Sequence, residues 1–338
     1  MKRLALSLLF VFLLNIQSIA CVILIYHKIG DNRTPSTNVS KQLFIRQMEY
    51  LKQNNYTVMP LRELVYLIKE GKKLSQRCVV LTFDDGYRSV YENAFPTLKK
   101  LHFAATVFLP TEAIEKHYPD YMSIKQIKEM MQYNIDFQSH SHSHPRFTNP
   151  PSTIPHSRYA DWIAEDIKKS INFFIKEFGY KPYAFAIPYG DYNKTVIDVA
   201  RRLGFEAILT QDATAIGAKT PLWLMPRQPI LGKYWSTMQH FKEILKEKYL
   251  PIKQHIPPAG STTNSKLFGA ILDNVSRYDR NSFMVYVSQL GWQRAKTEGN
   301  MVYIKTDAKL TKAKQRIGVM AKNNGRIYKN LWMVWMAK

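Results

Sequence analysis

The chain is short of cysteine, of acidic residues and of long apolar runs, and each shortage narrows what it can be. Cysteine occurs twice in 338 residues, at Cys21 and Cys78, which excludes a disulfide-dense scaffold. A single bridge between them is allowed in an oxidising compartment; two free buried thiols fit the sequence equally well. The apolar run Leu4 to Leu14 is too short to anchor the chain across a bilayer. With Lys2 and Arg3 before it and Ser18-Ile19-Ala20 after it, residues 1–20 read as an export signal ending ahead of Cys21. The mature protein is therefore expected outside the cytoplasm, periplasmic or at the cell surface. A lipid on Cys21 is the alternative, although Ser18 replaces the usual leucine and no tether precedes the strand-like Val22–Tyr26.

Asp and Glu number 26 against 48 Lys and Arg, a formal net charge of +22. Such a field favours anionic surfaces. The basic residues form no dense arm, however, and no nucleic-acid-binding motif is present. The charge reads as a basic solvated surface that can meet an anionic envelope, with no nucleic-acid partner. Internal repeats and low-complexity segments are also absent.

What is present is an alternation. Apolar runs at Val22–Tyr26, Val79–Phe83, Ala104–Leu109, Ile135–Gln138, Tyr183–Ile187, Glu206–Thr210 and Trp223–Ile230 have the two-sided hydrophobicity of covered parallel strands. Amphipathic helices are predicted between them over 41–54, 61–70, 89–101, 124–132, 161–178 and 195–203, with Ser40 as an N-cap and Gly71, Gly179 and Gly204 as stops. This pattern predicts an α/β barrel over residues 21–250, with its chemistry at the C-terminal strand ends. Residues 251–261, rich in proline and glycine, read as a linker. Residues 262–338 read as a small all-β module with strands near 282–289, 301–305, 316–320 and 331–336. Its aromatics Trp292, Tyr303, Tyr328, Trp332 and Trp335 suit a β core or sugar stacking, and Lys309, Lys312, Lys314 and Arg316 suit an anionic surface.

Four features fall at predicted strand ends: His27, the pair Asp84-Asp85, the cluster His140-Ser141-His142-Ser143-His144, and Pro188-Tyr189-Gly190. Two adjacent ionised carboxylates are costly without a neighbouring positive charge. A metal ion would relieve the pair and divide its roles into ligand and base. Three of the nine histidines lie within five residues. A helical turn there would place His140 and His144 on one face, able to reach one ion, and point His142 elsewhere. Two histidines and a carboxylate leave a coordination position open, as catalysis requires.

Thr82-Phe83-Asp84-Asp85-Gly86-Tyr87 resembles the first motif of the NodB-type polysaccharide deacetylases, carbohydrate esterase family four, and His140-Ser141-His142-Ser143-His144 is similar to their histidine motif. The resemblance covers about Cys21 to Gly232. It implies a distorted (β/α)7 barrel, one divalent metal (most often zinc) on Asp85, His140 and His144, and Asp84 as general base. It also implies an oxyanion contact from the Tyr87 backbone N–H and an acetyl pocket shaped by Pro188 and Tyr189.

Two departures stand out. The arginine that many members carry in the third motif is missing from Phe185-Ala186-Ile187-Pro188-Tyr189-Gly190, leaving Asp84 without its usual orienting partner. Arg227 either substitutes for it or is a rim residue. The usual Leu-x-x-His near the end of the barrel is replaced by Leu24-Ile25-Tyr26-His27 at its start, while His240 reads as a surface helix residue. This order resembles the permuted, exported branch that acts on poly-β-1,6-N-acetylglucosamine and makes His27 the general acid. The expected function is removal of N-acetyl groups from an N-acetylglucosamine-containing polysaccharide. The alternatives are a peptidoglycan or chitin-type substrate, or a glycan-binding barrel without activity.

Overall fold

The structure, a computed structural model, describes residues 20–337. The predicted export signal therefore lies outside the described residues, apart from Ala20. Seven parallel strands run in line through the main sheet, with the short Thr57–Val58 pairing beside Cys78–Asp84 as an eighth: β1 (Cys21–Tyr26), β2 (Cys78–Asp84), β3 (Ala105–Leu109), β4 (Ile135–Ser139), β5 (Ala184–Ala186), β6 (Ala207–Leu209) and β7 (Gln228–Pro229). They run in the order β7-β1-β2-β3-β4-β5-β6, so β1 sits between the last strand and the second. A lone parallel bridge, Leu209 to Met225, joins β6 back towards β7 and closes the ring loosely. This is the distorted barrel that the alternation implies.

The seventh strand is shorter than expected. Within 223–230 only Gln228–Pro229 forms a strand, beside the lone bridge of Met225, and Leu222–Leu224 winds into a 3-10 turn. Pro221, Pro226 and Pro229 supply no backbone N–H, so a continuous ladder cannot form there. The helices lie close to their predicted positions. Ser40 caps α1 (Lys41–Gln53) by accepting from the Leu43 N–H, and Gly179 ends the long helix Tyr159–Phe178 in the left-handed conformation. The stretch predicted as a single helix over 89–101 instead begins with a wide π turn, Val90–Ala94, before Phe95–Leu101.

Cys21 and Cys78 stand opposite each other in the β1–β2 register and form a disulfide. The bond staples two central strands whose next residues lead directly to His27 and to Asp84-Asp85.

The C-terminal region folds as two facing, mainly antiparallel layers, in which Lys248–Tyr249 joins Arg326–Met336 in parallel. One orders β8 (Lys248–Tyr249), β15 (Arg326–Met336), β14 (Lys314–Asn323), β11 (Met284–Val287) and β12 (Gly291–Arg294); the other holds β9 (Ile252–Ile256), β10 (Leu267–Leu272) and β13 (Met301–Lys305). The predicted linker is thus largely strand: Ile252–Ile256 pairs with Leu267–Leu272, its signal masked by Pro251, Pro257 and Pro258. Trp332 and Tyr328 belong to the buried core between the layers, together with Phe268, Val285 and Val319.

This β module does not hang from the barrel. Met333 packs in the same buried cluster as Phe185, Tyr192 and Ile208. Its N–H donates to the Tyr192 hydroxyl at 2.9 Å, which in turn donates to Asp212 at 2.9 Å. The Trp335 indole N–H donates to the Tyr192 carbonyl at 2.8 Å. Buried polar bonds of this kind fix one docking geometry, because leaving any partner unpaired costs about 1–3 kcal/mol.

Candidate active site

Strand β2 ends at Asp84, and the chain then turns through two left-handed residues, Asp85 (φ 71°) and Gly86 (φ 64°). Glycine is required at the second of these. A Cβ on Gly86 would lie 2.5 Å from the Leu109 side chain. The turn leaves Asp84 fully buried and Asp85 at the floor of an open cleft of about 620 Å³.

The histidine cluster approaches from the end of β4. It is an irregular loop rather than a helical turn, with Ser141 and His144 both left-handed (φ 69° and 54°). The two rings converge because the chain reverses, not because of a 3.6-residue period. Asp166, on the long helix, accepts from the His142 N–H (2.9 Å), the Ser143 N–H (3.1 Å) and the Ser143 hydroxyl. The Ser141 hydroxyl accepts from the His144 N–H at 3.0 Å. Sequence reasoning overlooked Asp166. Its only signal is an acidic residue on the apolar stripe of an amphipathic helix.

The loop brings Asp85, His140 and His144 together. His144 Nε2 lies 3.2 Å from His140 Nε2 and 3.3 Å from Asp85 Oδ1, and His140 Nε2 lies 3.5 Å from Asp85 Oδ1. The Ala186 carbonyl, 2.7 Å from His140 Nδ1, can only accept, so that nitrogen carries the proton and Nε2 turns its lone pair inward. Burial, reinforced by His140, lowers the His144 pKa to about 4 and keeps its imidazole neutral. Three donor atoms thus face one point, suited to a divalent cation.

Arg227 meets Asp84 in a bidentate pair, Nη1 to Oδ1 at 2.7 Å and Nη2 to Oδ2 at 2.9 Å, with both side chains fully buried. Of the two readings of Arg227, the rim is excluded by this burial. Its Nε donates to the Thr210 carbonyl at 3.0 Å, so every face of the guanidinium is fixed. Burial is the largest influence on Asp84 and opposes ionisation. The Arg227 charge and the hydrogen bonds it donates overcome it and hold the carboxyl at about 2. Asp84 is therefore a carboxylate whose two oxygens cannot rotate.

His27 follows β1 and lines the same cleft; its Nδ1 is buried without a hydrogen-bond partner among the described residues. Tyr87 bridges to Tyr121 through bonds made by Arg88 N–H and the Gly86 carbonyl, a pairing that leaves the Tyr87 N–H outside the ladder. Burial and the nearby Asp85 push the Tyr87 phenol far above its ordinary pKa, so it stays protonated. Pro188 is buried in a tight turn, and Tyr189, left-handed at φ 61°, packs its ring 4.8 Å from His144. The Arg146 guanidinium covers the same Tyr189 ring at 4.1 Å. His142 points away from the triad, its Nδ1 3.0 Å from the Thr111 hydroxyl, and His240 is half-buried on a separate helix.

Residues 71–208 match the family described as polysaccharide deacetylase. The poly-β-1,6-N-acetyl-D-glucosamine N-deacetylase of Staphylococcus epidermidis is 32% identical over 214 residues, 62% of this chain and 73% of that protein. The chain belongs to the polysaccharide deacetylase family. Among solved structures, the Streptococcus pyogenes deacetylase PplD in complex with acetate aligns with a TM-score of 0.60 at 25% identity, over 68% of this chain and 99% of that one. IcaB from Ammonifex degensii aligns with a TM-score of 0.58 at 25% identity, over 68% and 97%. The matched family segment contains Asp84, Asp85, His140, His144, Pro188 and Tyr189, whereas His27 and Arg227 fall on either side of it.

Proposed function

We propose that this chain is a metal-dependent N-deacetylase of an exported polysaccharide, most simply poly-β-1,6-N-acetylglucosamine. The observation that carries the reading is one buried carboxylate, Asp84, clamped by Arg227 beside a triangle of two imidazoles and a second carboxylate. A bare glycan-binding groove has no use for such a set. The Staphylococcus relative and the disulfide, a bond of oxidising compartments, favour an exported polymer.

Asp85, His140 and His144 would hold the metal. Their donor separations of 3.2 to 3.5 Å match the edge, about 3.3 Å, of a tetrahedron with zinc-like bond lengths. The nitrogen-rich donor set also favours zinc over magnesium or calcium. A divalent ion there supplies Lewis acidity to the acetyl carbonyl and acidifies a water.

The remaining work falls to the protein. Asp84 takes a proton from the attacking water at an oxygen that Arg227 holds in place. The Tyr87 N–H donates to the oxyanion that develops on the acetyl carbonyl oxygen, and Pro188 and Tyr189 bound the methyl group. His27 protonates the amide nitrogen as the C–N bond breaks, releasing acetate and leaving the sugar amine. Acetate release from β-1,6- and β-1,4-linked N-acetylglucosamine oligomers, before and after chelation, tests this. Equal rates on both linkages would remove the polymer assignment, and full activity after metal stripping would remove the metal.

A further inference from the structure

One wall of the cleft is not made by the barrel. Lys314 and Arg316, at the start of β14 in the C-terminal module, line it together with Arg146, Tyr189 and Asp191. Two apart on a strand, they share a face, while Gln315 between them turns into the interior. Lys314 Nζ reaches both oxygens of Asp191 at 2.8 and 3.1 Å, and Arg146 pairs with the same carboxylate. Arg316 Nε approaches Asp212 at 3.4 Å.

Both acids are nearly inaccessible, at 2% and 3%, whereas Lys314 and Arg316 keep 42% and 33% of their side chains exposed. On this wall three cations stand against two buried carboxylates and leave a surplus of positive charge, while the cleft's other acids, Asp85 and Glu112, lie outside the wall, Glu112 paired with Lys116. Asp191 follows the Pro188–Gly190 turn directly, so the module is tied to the segment that carries Tyr189.

We propose that the C-terminal β module completes the substrate cleft, and that Lys314 and Arg316 are specificity-determining residues that read the charge of the sugar beside the one losing its acetyl group. A neutral, acetylated neighbour can accept hydrogen bonds from their free N–H groups. A neighbour already deacetylated carries an ammonium group and is repelled. The enzyme then disfavours consecutive deacetylation and spaces its products along the chain. The inference rests on the deacetylase reading of the same site.

The test uses the full chain and two N-acetylglucosamine tetramers, one fully acetylated and one with a free amine next to an acetylated residue. Acetate release gives kcat and KM, and calorimetry gives Kd, for wild type, Lys314→Glu, Lys314→Arg and Arg316→Ala. Wild type is expected to prefer the fully acetylated tetramer. That preference should shrink about fivefold in Lys314→Glu and by a smaller factor in Arg316→Ala, through KM and Kd rather than kcat, and persist in Lys314→Arg. Raising the salt concentration should compress the wild-type preference as well, a reading that needs no variant to fold. An unchanged preference in folded Lys314→Glu and Arg316→Ala, or a wild-type preference indifferent to salt, overturns the proposal. No acetate release from either tetramer, with the Kd preference intact, would overturn the deacetylase reading and leave the charge reading standing.

Discussion

The barrel and the C-terminal module handle backbone strain differently. In the barrel, Asn55, Arg77, His102, His117 and Asn134 are left-handed in ordinary turns away from the site, whereas Asp85, Ser141, His144 and Tyr189 adopt the same conformation at strand ends around one cleft. In the module the one non-glycine residue of this kind among those described is Asn324, beside Gly325 in the hairpin joining β14 to β15. There the conformation merely matches the twist of the paired strands. Such strain costs on the order of 1–3 kcal/mol per residue and persists only where surrounding structure enforces it. The four that meet around the cleft mark the place where side-chain direction matters more than stability. The module supplies a regular, well-paired surface and lends the cleft two charges.

Several substitutions would break or sharpen this contrast. The largest effect is expected from Asp84→Asn, which should cut acetate release by about 100- to 10,000-fold while leaving bound metal near normal. Asp85→Asn or His140→Ala should lose metal and activity together, as metal analysis beside the assay would show. Wild-type turnover in Asp84→Asn would end the division of labour between the two carboxylates.

Arg227→Ala comes next. It strands the buried Asp84 charge and should destabilise the barrel by about 3–5 kcal/mol. In chemical denaturation the double variant with Asp84→Ala should be less destabilised than the sum of the two single variants. Additivity would mean the pair is not coupled.

Removing the staple by Cys21→Ala with Cys78→Ala should cost about 2–4 kcal/mol of barrel stability, read as a lower melting temperature that reductant no longer shifts.

Asp166→Ala frees the histidine loop without touching a ligand. A drop in metal affinity of about 10- to 100-fold is expected. Unchanged affinity would show that the left-handed turns hold the loop unaided.

The smallest effect lies in the module. His255 stacks on Trp332 with ring centroids 4.4 Å apart, and burial lowers its pKa from 6.5 to about 4 despite a bond to Asn330. The unfolded chain therefore binds a proton first as the pH falls. Stability should be full above about pH 6.5, decline towards pH 4 and level off below it. Because the ring keeps part of its surface in water, the loss should be about 1–2 kcal/mol. Tryptophan fluorescence during denaturation would detect it, and His255→Phe should flatten the slope.

Much of the site was legible locally. Asp84-Asp85-Gly86 and the three histidines announce themselves because carboxylates and imidazoles cluster within a few residues at strand ends. A spacing of four suggests a helical turn for the converging histidines. The loop reaches the same convergence through Ser141 and His144 in conformations that sequence spacing does not encode. Asp166 and Asp191 gave little warning, because one buried acid on a helix or after a turn resembles any solvated one.

The sequence by itself determined the alternation of strands and helices, the carboxylate pair, the histidine cluster and the place of His27 ahead of them. These follow from residue type and short-range periodicity. Only the tertiary structure decided that Arg227, 143 residues from Asp84, is its buried clamp, and that Lys314, 123 residues from Asp191, lines the same cleft as Asp85. Such pairings depend on closing a barrel and docking a second sheet against it. The free energy that selects them is spread over whole buried surfaces and leaves no mark on the residues that finally meet.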